Sequence, residues 1–201
     1  KRGFRLPMDG GEEDGDPGLF NEWYKAASWN ASEGRHSLYG FGRNSLTGGD
    51  ANYRCSGDPL EDVFDCVSGA TTPVGYFDGS IRGVGFQTNA NGNPYGAFDF
   101  SGNVWEWMQD QSFDPLDRRN RGGSFRSGVT SLEVSIGAER DATAVNDSTG
   151  FRVVLVQEVI GDLAVIPQAD LVVTGVWGGP YDGQRSAKSY QVLNVGSAVA
   201  S

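Results

Sequence analysis

The chain has 201 residues, with 16 basic and 26 acidic side chains for a formal charge of −10, and carries 30 glycines, 8 prolines, 2 cysteines and 1 histidine. So negative a charge opposes the counterion release that drives nucleic-acid binding, so no nucleic-acid partner is expected. One histidine and two cysteines cannot build a multi-histidine centre or a structural zinc or iron–sulfur site, which leaves oxygen ligands for any metal.

Apolar residues suffice for a packed core, while glycine at about twice its ordinary usage marks a loop-rich chain. No apolar run approaches the roughly 18–20 residues of a membrane span, and the segment is expected to start after any export signal. The acidic stretch Met8 to Phe20, with Glu12, Glu13, Asp14 and Asp16, reads as a solvated surface loop. Phe20, Trp23, Tyr24 and Ala27 share a 3.6-residue period, which predicts a short amphipathic helix from Phe20 to Trp29 that stops at Asn30. His36 is expected on an exposed loop, having no carboxylate or nucleophile partner in its segment. From Ser32 to Asn93, Gly, Asn, Asp and Ser punctuate brief apolar groups, a pattern of loops joined by very short strands.

Cys55 and Cys66 lie in this stretch, eleven residues apart. A disulfide between them, worth roughly 2–3 kcal/mol, is preferred to two buried thiols in a chain of extracellular character. The nearby acids Asp58, Glu61, Asp62 and Asp65 would raise a thiol pKa, which argues against a catalytic cysteine. Asn103 to Met108 and Gly150 to Val156 predict two buried strands of one sheet, with Trp105 and Trp107 in the core. Arg121 and Arg152 are expected to anchor loops through carboxylates or carbonyls, and Arg140 to join a polar cluster or pair with Asp141. After Gln157 the composition shifts to β-branched runs broken by Gly and Pro, which predicts a second, β-sandwich domain from Gly161. About 40 residues cannot bury a stable core unaided, so 161–201 is read as a partial domain.

Four segments carry a resemblance. They are Gly3-Phe4-Arg5-Leu6-Pro7 with Asn21-Glu22-Trp23-Tyr24; Thr72-Pro73-Val74-Gly75; Tyr95 through Gly102-Asn103-Val104-Trp105-Glu106-Trp107; and Arg121-Gly122-Gly123-Ser124-Phe125 closing with Gly150-Phe151-Arg152. In order and spacing they resemble the sulfatase-modifying-factor family, which includes the formylglycine-generating enzyme and has a fold related to C-type lectins. The resemblance implies an α+β, loop-rich domain over residues 1–157, lacking the N-terminal portion typical of relatives. Residues 161–201 resemble the start of a bacterial immunoglobulin-like repeat.

The catalytic members use a cysteine pair just after Gly-Gly-Ser to bind copper. Phe125 to Leu132 contains no cysteine, and a serine hydroxyl cannot replace a soft thiolate for that metal. Formylglycine-generating activity and copper are therefore not expected. Calcium is, because hard cations take carboxylate and carbonyl oxygens from loops. The resemblance implies one site at Asp99, Gly102, Val104 and Glu106, and a second at Asn52, Tyr53 and Asp65. The competing reading is that Asp99 and Glu106 accept hydrogen bonds from amides or an arginine. The family displays its binding surface on Phe125 to Thr149, where Ser127, Glu133, Arg140 and Asn146 are candidate ligand contacts.

These observations point to a non-catalytic, calcium-stabilised lectin-like module of a secreted or surface bacterial protein. Its partner would be a glycan, a protein ligand or neighbouring copies of itself. A family oxidoreductase with altered chemistry and a subunit of an extracellular filament or layer are the alternatives, as is a variable ligand-display protein of the same fold, against which the domain expected after Gly161 argues.

Overall fold

The computed structural model describes residues 3–9, 22–60, 70–111, 114–156 and 173–175. Regular structure is sparse, as the glycine-rich sequence predicts. The elements are β1 (Gly3–Arg5), α1 (Glu22–Ser28), β2 (Trp29–Asn30), β3 (Arg35–His36), β4 (Ile81–Arg82), β5 (Phe86–Gln87), β6 (Trp105–Gln111), β7 (Asp117–Arg121), a 3-10 turn (Val129–Leu132), β8 (Gly137–Asp141), β9 (Thr149–Val156) and β10 (Val173–Gly175).

The principal sheet runs β1-β9-β6-β7-β8, with β10 also on β9. The two strands expected from sequence are neighbours in it: β6 and β9 pair in parallel, with Trp105 opposite Thr149 and Glu106 opposite Gly150. Parallel neighbours need a long crossover, and here the β7–β8 hairpin lies within it. β7 and β8 pair over all five residues despite having no apolar alternation. Their ladder is supported by ion pairs of Arg121 and Arg119 with Asp9 and of Arg119 with Glu139.

Helix α1 ends at Ser28, a residue before the end its apolar period suggested. The amides of Glu22 and Trp23 both donate to the Met8 carbonyl, closing its first turn, and Trp29 leaves the helix to pair with His36 in β2–β3. Its inward face, Trp23 and Ala27, packs with Phe100, Met108 and Val134, and the Trp23 and Phe100 rings meet edge to face at 5.5 Å. A second cluster joins Tyr39, Phe41, Ala51, Tyr53 and Leu132 beneath the loops.

Two expectations need correction. His36 is half-buried: its ring stacks against Tyr24 at 4.6 Å and Trp29 at 5.0 Å, and Nδ1 lies 2.7 Å from the Ser28 hydroxyl. These partners come from the helix and its β2–β3 hairpin, and aromatic burial outweighed the polar setting of its own segment. Arg140 makes no ion pair with Asp141, because strand alternation sends them to opposite faces. Asp141 accepts from Thr143 instead. The acidic residues Glu12, Glu13, Asp14 and Asp16 lie outside the described residues, as does the expected second domain apart from 173–175.

Candidate functional site

The segment with the strongest family signature is the junction of the molecule. Asp99 and Asn103 adopt left-handed backbone, with φ of 61° and 66°, around Gly102 at 84°. A side chain at Gly102 would meet the Asn52 carbonyl oxygen at 2.4 Å. Asn103 then binds three loops: its amide N–H donates to the Asn52 carbonyl at 2.8 Å, its side chain exchanges bonds with the Thr72 backbone at 3.0 and 3.1 Å, and its carbonyl accepts from Phe125 at 3.0 Å. The loops at 52, 72 and 125 are thereby fixed to the start of β6.

Glu106, one step along, is buried. It accepts two charge-assisted bonds from Arg152 of β9 and one from the Trp23 indole N–H at 2.6 Å. Arg152 also donates to the Phe98 carbonyl at 3.2 Å and lies 3.5 Å over the Phe100 ring. Asp99 is buried and accepts from the Gly75 amide at 2.9 Å, and its carboxyl is pushed up to about 6, chiefly by burial. Arg121 anchors a second junction, pairing with Asp9 and donating to the carbonyls of Val134 and Ser135. Both arginines thus hold loops as the sequence suggested.

The donor chemistry for calcium divides between the two candidate sites. Asn52 is buried, its Nδ2 donates to the Ala70 carbonyl at 3.1 Å, and its Oδ1 has no hydrogen-bond partner among the described residues. An orphaned amide oxygen fits a hard cation; the Tyr53 carbonyl already accepts from the Ser56 amide at 3.1 Å, and the third ligand, Asp65, lies outside the described residues. At the other site Asp99 carries a carboxylate that burial penalises, which a cation would relieve. Glu106 meets its charge on Arg152, so this end offers a cation only the lone pair that the arginine leaves. Among the described residues no group of three or more carboxylate, imidazole or thiol side chains gathers at one point, so a cation here would depend on amide and carbonyl oxygens.

Cys55 is exposed, with a φ of 64°; Cys66 lies outside the described residues. Position 55 adjoins the Gly-Gly-Ser loop, since the Arg54 amide donates to the Ser127 carbonyl at 3.0 Å.

The candidate ligand contacts fall on two surfaces. Ser127 closes its own turn, accepting from the Ser124 amide at 3.0 Å and lying 3.1 Å from the Ser124 hydroxyl. Glu133 follows the 3-10 turn, its amide bound to the Thr130 carbonyl. Arg140 and Asn146 lie on the face of the sheet turned away from the core. Arg140 reaches over the Trp105 ring, and Asn146 lines a pocket with Trp107 and Phe151. The Arg126–Asp147 ion pair, 2.6 Å, links the loop of Ser127 to the loop of Asn146. Reasoning from sequence took Trp107 for a core residue and passed over Arg118, Val145 and Phe151. The signal lay in the shared parity of β6 and β9, legible only once their register is known.

The family model described as "Sulfatase-modifying factor enzyme 1-like domain" matches residues 20–157. The chain belongs to that family. Among solved structures it is similar to Treponema denticola variable protein 1, at 23% identity and a TM-score of 0.51, over 76% of this chain and 48% of that one. It is also similar to CarF, at 23% identity and a TM-score of 0.47, over 75% of this chain and 47% of that one. The chain thus spans about half the length of either structure. No curated protein matches it. No helix among the described residues is long and apolar enough to cross a membrane.

Proposed function

We propose that the chain is a non-catalytic, calcium-stabilised binding or scaffold module of a secreted or cell-surface protein, holding a glycan, a protein ligand or a neighbouring copy. The observation that carries this is the loop after Gly122-Gly123. Where copper-binding relatives place cysteines, Phe125 to Leu132 offers hydroxyl, guanidinium and apolar side chains, and the Ser124 and Ser127 hydroxyls bond each other. That loop can present hydrogen bonds but holds no soft donor for copper. Calcium at Asn52, Tyr53 and Asp65, and at Asp99, Gly102, Val104 and Glu106, would brace the same junction. A disulfide between Cys55 and Cys66 would close the 55–66 loop beside it.

The test is turnover. The chain, loaded with copper in air, is incubated with a cysteine-containing sulfatase peptide and the peptide is weighed by mass spectrometry. The expected outcome is unchanged mass, while glycan or protein arrays show calcium-dependent capture. Conversion of the cysteine to an aldehyde would overturn the proposal.

A further inference from the structure

The principal sheet has a second face, away from the Trp23–Phe100 cluster, on which Trp105 and Thr149 are buried and Trp107 and Phe151 half-buried. Parallel register between β6 and β9 turns Glu106, Met108 and Arg152 inward, and Trp105, Trp107, Thr149 and Phe151 outward. There Trp107 and Phe151, with Ala144 and Val145 from the preceding loop, bound a pocket of about 180 Å³ completed by Asn146, Thr149 and Gly150. No charged side chain among the described residues lines it. Val145 is 97% exposed. Asn146 accepts from Ser148 through its side-chain carbonyl oxygen, and the buried Thr149 hydroxyl has no hydrogen-bond partner among the described residues.

On the same face, two strands over, Arg118 and Arg140 stand directly opposite each other in the β7–β8 ladder. Like charges in that position repel. Arg118 donates only to the carbonyls of Pro115 and Asp117, and Arg140 reaches the Asn120 amide and lies 5.9 Å from the Trp105 ring centre. Eight of the eleven described arginines each meet a carboxylate; Arg54, Arg118 and Arg140 do not, and of these only Arg118 and Arg140 face each other, in a chain of net charge −10. A paired, uncompensated guanidinium site matches a carboxylate in geometry as well as charge.

We propose that this outer face binds an extended peptide of a partner protein, seating one apolar side chain in the Trp107 pocket and placing a carboxylate between Arg118 and Arg140. The proposal rests on reading the chain as a binding module and supplies that reading with a ligand class. Trp107 faces Asn120, and Arg118 lies two positions beyond it on β7, so pocket and arginine pair are separated by about two strand spacings across the sheet and two residues along it, ~12 Å; every fourth side chain of an extended peptide points the same way about 13 Å on, so Leu-Xaa-Xaa-Xaa-Glu spans the gap. A saccharide suits the pocket poorly. Ala144, Val145 and Phe151 would strip water from its ring hydroxyls without replacing the bonds, at a cost of roughly 1–3 kcal/mol each.

Fluorescence anisotropy of a labelled Ser-Leu-Gly-Ser-Gly-Glu-Ser peptide, blocked at both ends, against the calcium-supplemented 201-residue chain tests this. The expected result is saturable binding that weakens at least tenfold when the peptide Leu becomes Ser or its Glu becomes Gln, and that declines with added salt. Val145→Asp and the Arg118→Gln/Arg140→Gln pair should each weaken binding at least tenfold, while Arg35→Gln on β3 leaves it unchanged. Val145 is exposed, so its variant folds, and circular dichroism verifies both. Equal binding of the three peptides, indifference to Val145→Asp, or displacement by free glucuronate or N-acetylglucosamine at the peptide's own concentration would overturn the proposal. Aldehyde formation together with the peptide preference would end the non-catalytic assignment and leave this site standing. Capture of a glycan or protein without the preference would do the reverse.

Discussion

Glu106 carries more of the fold than its length suggests, because three donors from two distant elements converge on one buried carboxylate. Removing one member of such a buried pair strands the other charge and typically costs about 3–5 kcal/mol. Glu106→Gln, which keeps the shape and removes the charge, should lose stability in that range, read as a lower urea midpoint at unchanged m-value. Replacing Arg152 as well, by Met, should recover part of the loss, since no charge is then left unpaired. The exposed counterpart is Glu22, which takes two bonds of 2.6 Å from Arg5. Arg5 is the main cause holding its carboxyl below the ordinary 4.5. A depressed folded pKa contributes stability above the unfolded value, and that contribution is lost as pH falls through the folded one. The Glu22–Arg5 pair is partly exposed, so solvent screening limits it to under about 1 kcal/mol. Glu22→Gln should therefore be less stable than the parent at pH 7 by that small margin, the gap closing as unfolding is repeated at successively lower pH below about 4.5.

At the scale of elements, the β6 entry shows why Gly102 is required. Its left-handed backbone disfavours any side chain, and a Cβ there would meet the Asn52 carbonyl oxygen 2.4 Å away. Gly102→Ala should cost at least 1–3 kcal/mol, with thermal melting as the check, whereas Gly128→Ala, with open space around it, should move the midpoint little. This turn was legible beforehand because Gly-Asn-Val-Trp-Glu-Trp packs turn, hub and core residue into six consecutive positions. The helix and the two apolar strands were legible for the same reason: their signal is local periodicity. The β7–β8 hairpin was not. Asp117-Arg118-Arg119-Asn120-Arg121 has no apolar alternation, and what holds it is the ladder to β8 and the ion pairs to Asp9, more than a hundred positions away. His36 and Trp107 were misjudged in the same way, both left half-buried by partners from other elements. Of the candidate site, the oxygen-rich turns could be seen in sequence, but not which oxygens the fold leaves unpartnered.

For the whole molecule, the long loops of 37–60 and 70–104 are fastened less by strand ladders than by single polar side chains reaching across them. Asn91 donates to the Asp50 carbonyl at 2.9 Å, Asn93 to the Ala26 carbonyl at 2.7 Å, and Ser101 to the Leu132 carbonyl at 2.8 Å. Such a scaffold has little cooperative backbone to absorb a buried oxygen without a partner, so a cation that satisfies Asn52 would stabilise the native state alone. Binding of that kind adds about 2.7 kcal/mol when the ion stands at a hundred times its dissociation constant. In a domain of 150–250 residues, that raises the melting midpoint by roughly 5–10 °C. Calcium added to chelator-treated protein should produce this shift, magnesium a smaller one because it demands a stricter octahedron, and Asn52→Ala should remove most of the calcium response. A midpoint indifferent to calcium in the parent chain, with Asn52→Ala melting at the same temperature, would mean that water rather than a metal completes the Asn52 oxygen, and the loops would then owe their order to side-chain hydrogen bonds alone.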